Sequence, residues 1–174
     1  MARTDALVVV ADAGPLIHLD ELAALDVLAD FPEIWVPEDV WSEVVLHRPQ
    51  ALRHGGIRLL RHEASSISAR MNAIAALYSL HRGERAALAL CLEHSIGTLL
   101  TDDTAARLAA TSLNLVTHGT LGLLIRSVRR GLRSPTEVLA LLNSIATRST
   151  LHIRPSLLDD VIRQVQREWK DPGA

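Results

Sequence analysis

Short apolar runs alternate along this chain with stretches in which hydrophobic residues recur at helical spacing. The first run, over residues 7–11, is continuous and rich in valine, which is typical of a strand buried on both faces. Further strands are predicted over residues 34–36, 57–60, 98–101 and 113–117.

Helices are predicted between and after these strands. The clearest covers residues 83–94, where Ala87, Leu88 and Cys91 share one face. Gly131 stands at a helix-stop position, and a proline opens each of the last two helices, where a missing N–H costs little. The remaining helices are predicted over residues 20–30, 38–46, Ser65 to about Tyr78, 104–112, 120–130, 135–146 and 155–169.

Strands that alternate with helices of this length predict an α/β fold, in which a parallel sheet carries helices on both faces. In such sheets, ligands bind in the crevice outside the carboxyl ends of the strands. Residues at those ends are therefore the first candidates for chemistry.

Composition narrows the classes of function. The 174 residues are 48% apolar, enough for a sizeable core, and the formal charge of −2 disfavours a stoichiometric nucleic-acid coat protein. The single cysteine, Cys91, lies in an apolar pattern and is interpreted as a buried hydrophobe rather than a catalytic thiol. The N-terminus lacks the pattern of a signal peptide, and no stretch is apolar enough to span a bilayer, so a soluble cytoplasmic protein is expected.

Acidic residues stand at strand ends and in the helices that follow. Asp12 directly follows the first predicted strand, and Asp102 and Asp103 follow a later one. Glu43 lies in the helix after the second strand, and Glu84 lies in the first turn of its own helix. If the strands that precede these residues are neighbours, the carboxylates meet at one crevice.

Clustered carboxylates are the oxygen ligands that Mg²⁺ and Mn²⁺ prefer, and a bound ion would offset their mutual repulsion and activate a phosphodiester for hydrolysis. Each residue also has a structural interpretation. Asp12, Asp102 and Asp103 can act as helix caps, Glu84 can favour the positive end of its helix, and Glu43 can be a solvated charge. Asp12 is the hardest to explain in this way, because a charge directly after a buried strand needs a partner.

A family resemblance rests on the order and spacing of the segments VVVADAGPLIHLDEL, IWVPEDVWSEV, HRGERAALALCLEHSIGTLLTDDTAARLAA and LNLVTHGTLGLLI. Together they resemble the PIN domain, and most closely its prokaryotic branch with a D-x-[SG]-P-L-I opening and a late G-T-L-G-[LV]-L segment. Asp12 matches the family's first acidic position, Glu43 the second and Glu84 the third. Asp102 or Asp103 matches the fourth, and the sequence leaves open which of the two faces a metal.

The resemblance implies a three-layer α/β/α sandwich around a central parallel sheet, with residues 1–133 as the PIN-like part and residues 134–174 as a C-terminal helical extension of the same domain. It also implies an RNA-cleaving enzyme that uses Mg²⁺ or Mn²⁺. VapC-like members are toxins, often homodimers held by a cognate antitoxin, so RNA, an antitoxin and a second copy of the chain are the expected partners. The catalytic and metal-binding residues that the resemblance implies are Asp12, Glu43, Glu84, Asp102 and Asp103.

Two features leave the function open. Many PIN domains carry Ser or Thr two residues after the first Asp, whereas this chain has Gly14, so a hydroxyl that orients a ligand or a water is absent. Gly14 and the modest charge favour the main alternative, a catalytically weak or inactive PIN-like module that binds RNA or a protein. A phosphate-accepting receiver domain also begins with acidic strand ends, but an acceptor Asp on the third strand and a later Lys are not evident.

Positively charged residues are the candidates for RNA contacts. Arg85 and Arg107 lie near the acidic positions in the sequence and are predicted to steer RNA. A cluster near residue 130 admits two interpretations, contacts with phosphates or a solvated helix end with favourable charge. It consists of Arg126, Arg129, Arg130 and Arg133.

Overall fold

The computed structural model describes residues 7–63 and 66–169. Its strands form a five-stranded sheet in the order β3-β2-β1-β4-β5, and every neighbouring pair in it is parallel. Because the chain order reverses between β1 and β4, the crevice expected of a doubly wound sheet lies there. The strands are β1 (Val8–Ala11), β2 (Glu33–Pro37), β3 (Leu59–His62), β4 (Thr98–Leu100) and β5 (Val116–His118).

Helices cover both faces of this sheet. They are α1 (Ala13–Glu21), α2 (Glu38–His47), α3 (Ala69–Tyr78), α4 (Arg82–Glu93), α5 (Thr104–Ser112), α6 (Thr120–Arg129), α7 (Pro135–Arg148) and α8 (Pro155–Glu168). Short 3₁₀ helices cover Leu25–Leu28 and Pro49–Arg53.

Successive residues of β1 point to opposite layers of the sandwich. Val9 belongs to a large core shared with α1, α2, α6, α7 and α8, whereas Val10 belongs to a second core shared with α3, α4 and α5. Both valines are completely buried, which explains why the sequence of this strand is a continuous apolar run. The predicted α/β/α sandwich around a parallel sheet is therefore confirmed.

The prediction of a helix over residues 20–30 is wrong. The helix lies earlier, with Asp12 as its N-cap and Pro15 in its first turn, where a missing N–H leaves no intrahelical bond unmade. It ends at Glu21, and Ala23 then adopts a φ of 53° that turns the chain away. The leucines of this segment are buried because the chain folds back, so their helical spacing does not reflect a continuous helix.

The largest remaining differences from the predicted boundaries are at the starts of α3 and β5. The predicted cap Ser65 lies outside the described residues, and α3 is capped by Ser68, whose hydroxyl accepts the Met71 N–H at 3.1 Å. Strand β5 begins later than residue 113 because Leu113 still caps α5 and Asn114 adopts a φ of 58° before the strand.

The arginines near the end of α6 form ion pairs with aspartates in and just after the first 3₁₀ helix. The Arg126 guanidinium lies 2.5 Å from Asp30 Oδ2, and Arg130 Nε donates to the same oxygen at 2.9 Å. Arg133 pairs with Asp26, with its Nε 2.8 Å from Asp26 Oδ2. Since these guanidinium groups already have carboxylate partners, the geometry favours a structural role for them over contacts with phosphates.

The last two helices complete the large core. Val138 of α7 and Val165 of α8 are fully buried in it. Arg129 joins α6 to the end of α8 through Glu168, at 3.1 Å, and lies 5.9 Å from the ring of Trp169. The ring of Trp169 is partly buried against this core. Within the described ranges, no helix combines the length and the apolar character needed to cross a membrane.

We expect Asp30→Asn to lower the free energy of unfolding by about 1–3 kcal/mol, because two guanidinium groups lose the charge of their shared acceptor and the Arg126 side chain is only 20% exposed. The matched control is Asp160→Asn, whose partner Arg163 has a side chain that is 60% exposed, and this change should cost less than about 1 kcal/mol. Urea unfolding measures both variants. Equal costs would contradict the structural role of the arginines.

Candidate functional site

The crevice between β1 and β4 opens into a cavity of about 400 Å³. Its walls come from the first turns of α1 and α4, from α2, from the residues after β4 and from the segment after α7. The structure thus brings together five carboxylates that lie far apart in the chain. They are the five acidic residues predicted from the sequence, Asp12, Glu43, Glu84, Asp102 and Asp103.

Asp12 is the most deeply buried acid of the cavity, with 7% of its surface exposed. Its backbone N–H donates to the Leu100 carbonyl at 2.8 Å, which places it between β1 and β4. Its carboxylate accepts the Ala13 N–H at 2.9 Å on Oδ1 and the Thr101 hydroxyl at 3.0 Å on Oδ2. Asp12 is therefore the cap of α1 and also an acid that lines the cavity. The structural and the functional interpretation of this residue are compatible.

The surroundings of Asp12 disfavour its charged form. Burial raises its pKa to about 7 from an ordinary value of 3.8, and the nearby charges of Glu84 and Glu43 act in the same direction. The two hydrogen bonds that the carboxylate accepts lower the pKa but do not offset burial. Positive charge placed in this cavity would therefore be strongly stabilised.

Glu84 is held at the start of α4 by His81. Its Oε2 accepts the His81 backbone N–H at 2.8 Å, and its Oε1 lies 3.2 Å from His81 Nδ1. The bond to the His81 backbone is the one expected of a glutamate three residues after the N-cap. The hydrogen bond with Glu84 and its charge raise the pKa of His81, so the histidine adds positive charge at the rim of the cavity as the pH falls.

Gly83 brings Glu43 to the same wall. A Cβ atom at residue 83 would lie 3.3 Å from Glu43 Oε2 and 3.7 Å from Asp12 Oδ1. The absence of a side chain at this position lets α4 pack closely on α2, so that carboxylates from different elements face one space. Glu43 itself remains exposed, as expected of a group at the mouth of the cavity.

Asp102 has a full set of local partners. Its Oδ1 accepts the Thr120 N–H at 2.7 Å, and its Oδ2 accepts the Thr120 hydroxyl at 2.7 Å and lies 2.8 Å from His18 Nδ1. The residue therefore ties the end of β4 to the N-terminus of α6 and to α1. Both of its carboxylate oxygens thus already have hydrogen-bond partners in these elements.

Asp103 has a simpler environment. Its Oδ1 accepts the Ala106 N–H at 2.8 Å and so caps α5, whereas its Oδ2 accepts no hydrogen bond from the described residues. The capping role predicted as the structural alternative is thus present, and it uses only one of the two oxygens. Asp103 is better placed than Asp102 to offer an oxygen to a ligand.

Gly14, where the chain lacks a hydroxyl-bearing side chain, lies next to the Asp102–His18 pair. A Cβ atom at residue 14 would lie 3.4 Å from Asp102 Oδ2 and 3.7 Å from His18 Cε1. These are ordinary contact distances, so a small side chain at this position would lie against the pair without displacing it.

The donor set fits a hard divalent cation by its chemistry. Carboxylate oxygens are the ligands that Mg²⁺ and Mn²⁺ prefer, and a cation would offset the penalty that burial and neighbouring acids place on the charged form of Asp12. Across residues 7–63 and 66–169, no group of three or more Asp, Glu, His or Cys side chains is arranged so as to hold a metal ion. The carboxylates surround one cavity, but they do not converge on one point within it.

The two arginines predicted to steer RNA differ in their positions. Arg107 lines a groove that adjoins the cavity, and its Nη1 lies 2.9 Å from where a Cβ atom of Gly119 would stand. Arg85 lines neither this groove nor the cavity, and its Nε is buried without a hydrogen-bond partner among the described residues. The geometry therefore favours Arg107 over Arg85 for a contact with a bound strand.

Sequence reasoning did not identify the residues that hold these acids in place. Thr101 binds Asp12, and Thr120 and His18 bind Asp102. Thr101 belongs to the T-D-D segment and could have been found there, whereas His18 and Thr120 carry no local signal.

A family model described as a PIN domain matches residues 8–167 of the chain. This match includes all the acidic residues of the cavity and most of α8. A search of curated proteins and a search of solved structures give no significant match.

In metal-free protein, we expect the contribution of Asp12 to the free energy of unfolding to fall as the pH rises from about 4 to about 7. The folded pKa of Asp12 lies above its unfolded value, so the folded state binds more protons than the unfolded state in this interval and loses that advantage as the pH rises. The difference between 3.8 and about 7 corresponds to an upper limit of roughly 4 kcal/mol.

The measurement is urea unfolding in EDTA between about pH 5 and pH 8, compared with Asp12→Asn, which keeps the shape of the side chain without its charge. The variant should lose less stability over this interval than the wild type and be the more stable protein at the upper pH. Parallel pH profiles would show that Asp12 does not titrate there.

Proposed function

Because the chain belongs to the PIN-domain family, whose members are generally nucleases, we propose that it is a divalent-metal-dependent endoribonuclease that uses Mg²⁺ or Mn²⁺. The observation that carries the proposal is the meeting of carboxylates around the buried Asp12 at the switch between β1 and β4. Hydrolysis of RNA phosphodiesters is the reaction that suits such a site, because negative charge develops on phosphate oxygens during the reaction.

Asp12 and Asp103 are the proposed main ligands of the ion. Asp12 is buried and its charge is incompletely offset, and Asp103 keeps one oxygen free of hydrogen bonds within the described part of the chain. When bound, the ion supplies positive charge against the scissile phosphodiester and its attacking water. Asp102 positions the end of β4 and the start of α6, and its bonds keep the neighbouring Asp103 aimed at the cavity.

The two glutamates have different proposed roles. Glu43 is exposed at the mouth of the cavity and accepts no hydrogen bond from the described residues, so it can orient the attacking water and accept its proton. Glu84 is already bonded to His81 and contributes charge from a fixed position, directly or through a water. His81 lies where a protonated ring can approach a phosphate.

The proposal extends to biological role. As VapC-like PIN domains do, the protein would act as the toxin of a toxin–antitoxin pair, with RNA as its substrate, a cognate antitoxin as its inhibitor and a homodimer as its assembly. An apolar surface on α2 suits a protein contact, since Leu46 is 77% exposed and Val45 is 49% exposed.

A second candidate is a catalytically weak or inactive PIN-like module that binds RNA or a protein. Gly14 in place of a hydroxyl-bearing residue favours it. So does the arrangement of the acids within the described ranges, where no three of them are placed to hold an ion. The two candidates differ in whether the cavity takes up a divalent ion through Asp12.

Purified protein with Mn²⁺ should cleave single-stranded RNA, and Asp12→Asn should abolish both the cleavage and the heat of Mn²⁺ binding in calorimetry, because the buried ligand is lost. The matched control is Asp159→Asn, an exposed carboxylate of α8 that should keep both. Equal cleavage by wild type and Asp12→Asn would contradict the nuclease proposal. Absence of Mn²⁺ uptake that depends on Asp12 would favour the binding module.

Because Asp102 and Asp103 form different hydrogen bonds, substitutions can distinguish their roles. Asp103→Ser keeps a side chain that caps helices well, so the free energy of unfolding should change by less than about 1 kcal/mol while Mn²⁺ affinity falls about tenfold or more. Asp102→Asn should instead lower the free energy of unfolding by about 1–3 kcal/mol, because it removes a charged acceptor from Thr120 and His18. Calorimetry and urea unfolding measure both variants. Unchanged Mn²⁺ affinity in Asp103→Ser would contradict the proposed ligand assignment.

A further inference from the structure

A second groove, of about 480 Å³, continues from the acidic cavity toward α8. Asp102, Leu151 and His152 line both spaces, so a chain that enters one can extend into the other. One wall is formed by the first turn of α5, the end of β5 and the first turns of α6, and the other by the segment before α8 and the first half of that helix.

The cationic side chains of this groove differ from the paired arginines elsewhere. Arg107 and Arg154 both line it and are exposed, and neither forms an ion pair with a carboxylate in the described part of the chain. This distinguishes them from Arg126 and Arg133, whose guanidinium groups are bonded to aspartates. Two guanidinium groups without a bonded carboxylate beside one groove are complementary to a polyanion.

The surface between the arginines is mostly apolar. Burial, followed by the charges of Arg126 and Arg107, lowers the pKa of His118, so its ring is uncharged at neutral pH and adds a flat surface. Apolar and planar surfaces next to phosphate-binding cations are the combination by which proteins hold unpaired nucleotides. The apolar side chains that line the groove are Leu121, Ile125, Leu151, Ile153, Leu157 and Val161.

The outer wall is fixed in place before any ligand binds. Glu21, at the end of α1, accepts the Ser149 hydroxyl at 2.8 Å, the Thr150 N–H at 2.7 Å and the Thr150 hydroxyl at 2.9 Å. These bonds hold the segment that carries Leu151 and Arg154 against the body of the protein. A preformed wall reduces the entropic cost of binding.

We propose that this groove binds the stretch of single-stranded RNA next to the phosphodiester held in the acidic cavity. Arg107 and Arg154 contact its phosphates, and its bases lie on the apolar surface between them. The choice of RNA rests on the proposed function, but binding in the groove requires no metal ion and can be measured without cleavage.

Gly122 offers a test that does not depend on a destabilised variant. It lies in the first turns of α6 and lines the groove, and a Cβ atom there would meet no other atom within 4 Å. Gly122→Leu therefore places a large side chain in the groove at a position with room for its Cβ atom, and because leucine is the better helix former the melting temperature should be unchanged or higher.

Binding is followed by the fluorescence anisotropy of a labelled single-stranded oligouridylate in EDTA. Gly122→Leu should weaken binding about tenfold or more, whereas Gly122→Ala, which adds only one methyl group, should bind almost as the wild type does. Wild-type affinity in Gly122→Leu would overturn the proposal.

The arginines are tested by the salt dependence of the same binding. Arg107→Gln and Arg154→Gln should each reduce the slope of log K against log salt concentration by about 0.7, the contribution of one phosphate contact in a single strand. Arg163→Gln, which removes the same charge from α8 outside the groove, should leave the slope unchanged. Equal slopes in all three variants would overturn the proposal.

Two outcomes separate this inference from the proposed nuclease activity. If Asp12→Asn binds the oligouridylate in EDTA as the wild type does and the groove variants do not, the groove binds RNA whether or not the wild type cleaves it. If the wild type cleaves RNA and the groove variants bind it normally, the nuclease proposal stands and the groove proposal is wrong.

A third outcome concerns the kind of polyanion. If the groove binds polyglutamate with the same dependence on Gly122, Arg107 and Arg154 but does not bind RNA, the groove proposal is also overturned.

Discussion

A carboxylate at the end of a fully buried strand is the constraint on which the geometry of this site depends. Asp12 cannot move toward solvent, because its own N–H is bonded to the Leu100 carbonyl of the neighbouring strand. Burying a charge costs several kcal/mol unless partners offset it. The bonds from Ala13 and Thr101 offset only part of this cost, since the pKa remains near 7. A site that takes up a cation satisfies this constraint, which gives a physical reason for the other acids to surround it.

The same constraint explains the small residues and the hydrogen bonds around the cavity. Acids can approach Asp12 only if the elements that carry them pack closely, and Gly83 permits this close approach between α4 and α2. Asp102 holds another side by joining β4 to Thr120 of α6 and to His18 of α1. Its hydrogen bonds thus join these elements, although in the sequence it cannot be distinguished from the Asp beside it.

The sequence predicts those features that depend on local patterns. A valine-rich run followed by a charge marks both the buried strand and Asp12, and the helices over residues 83–94 and 104–112 are found because apolar spacing and capping residues agree. The helix over residues 20–30 is predicted wrongly because apolar spacing alone does not reveal the turn at Ala23. The partners of Asp102 and Asp30 come from distant parts of the chain and have no local signal. The division of the chain near residue 133 stays a prediction.

Helix α1 connects the two parts of the proposed substrate path. Asp12 caps its N-terminus inside the cavity, and Glu21 at its last residue binds Ser149 and Thr150, directly before the residues of the groove wall. A helix of nine residues is about 13 Å long and stiff, so it fixes the distance between the buried carboxylate and this wall. Because the wall precedes α8, which is itself anchored in the core by Val165, the C-terminal helices take part in setting this distance. A strand of RNA bound along the groove would thus meet the acidic cavity at a position determined by α1 rather than by the flexibility of a loop.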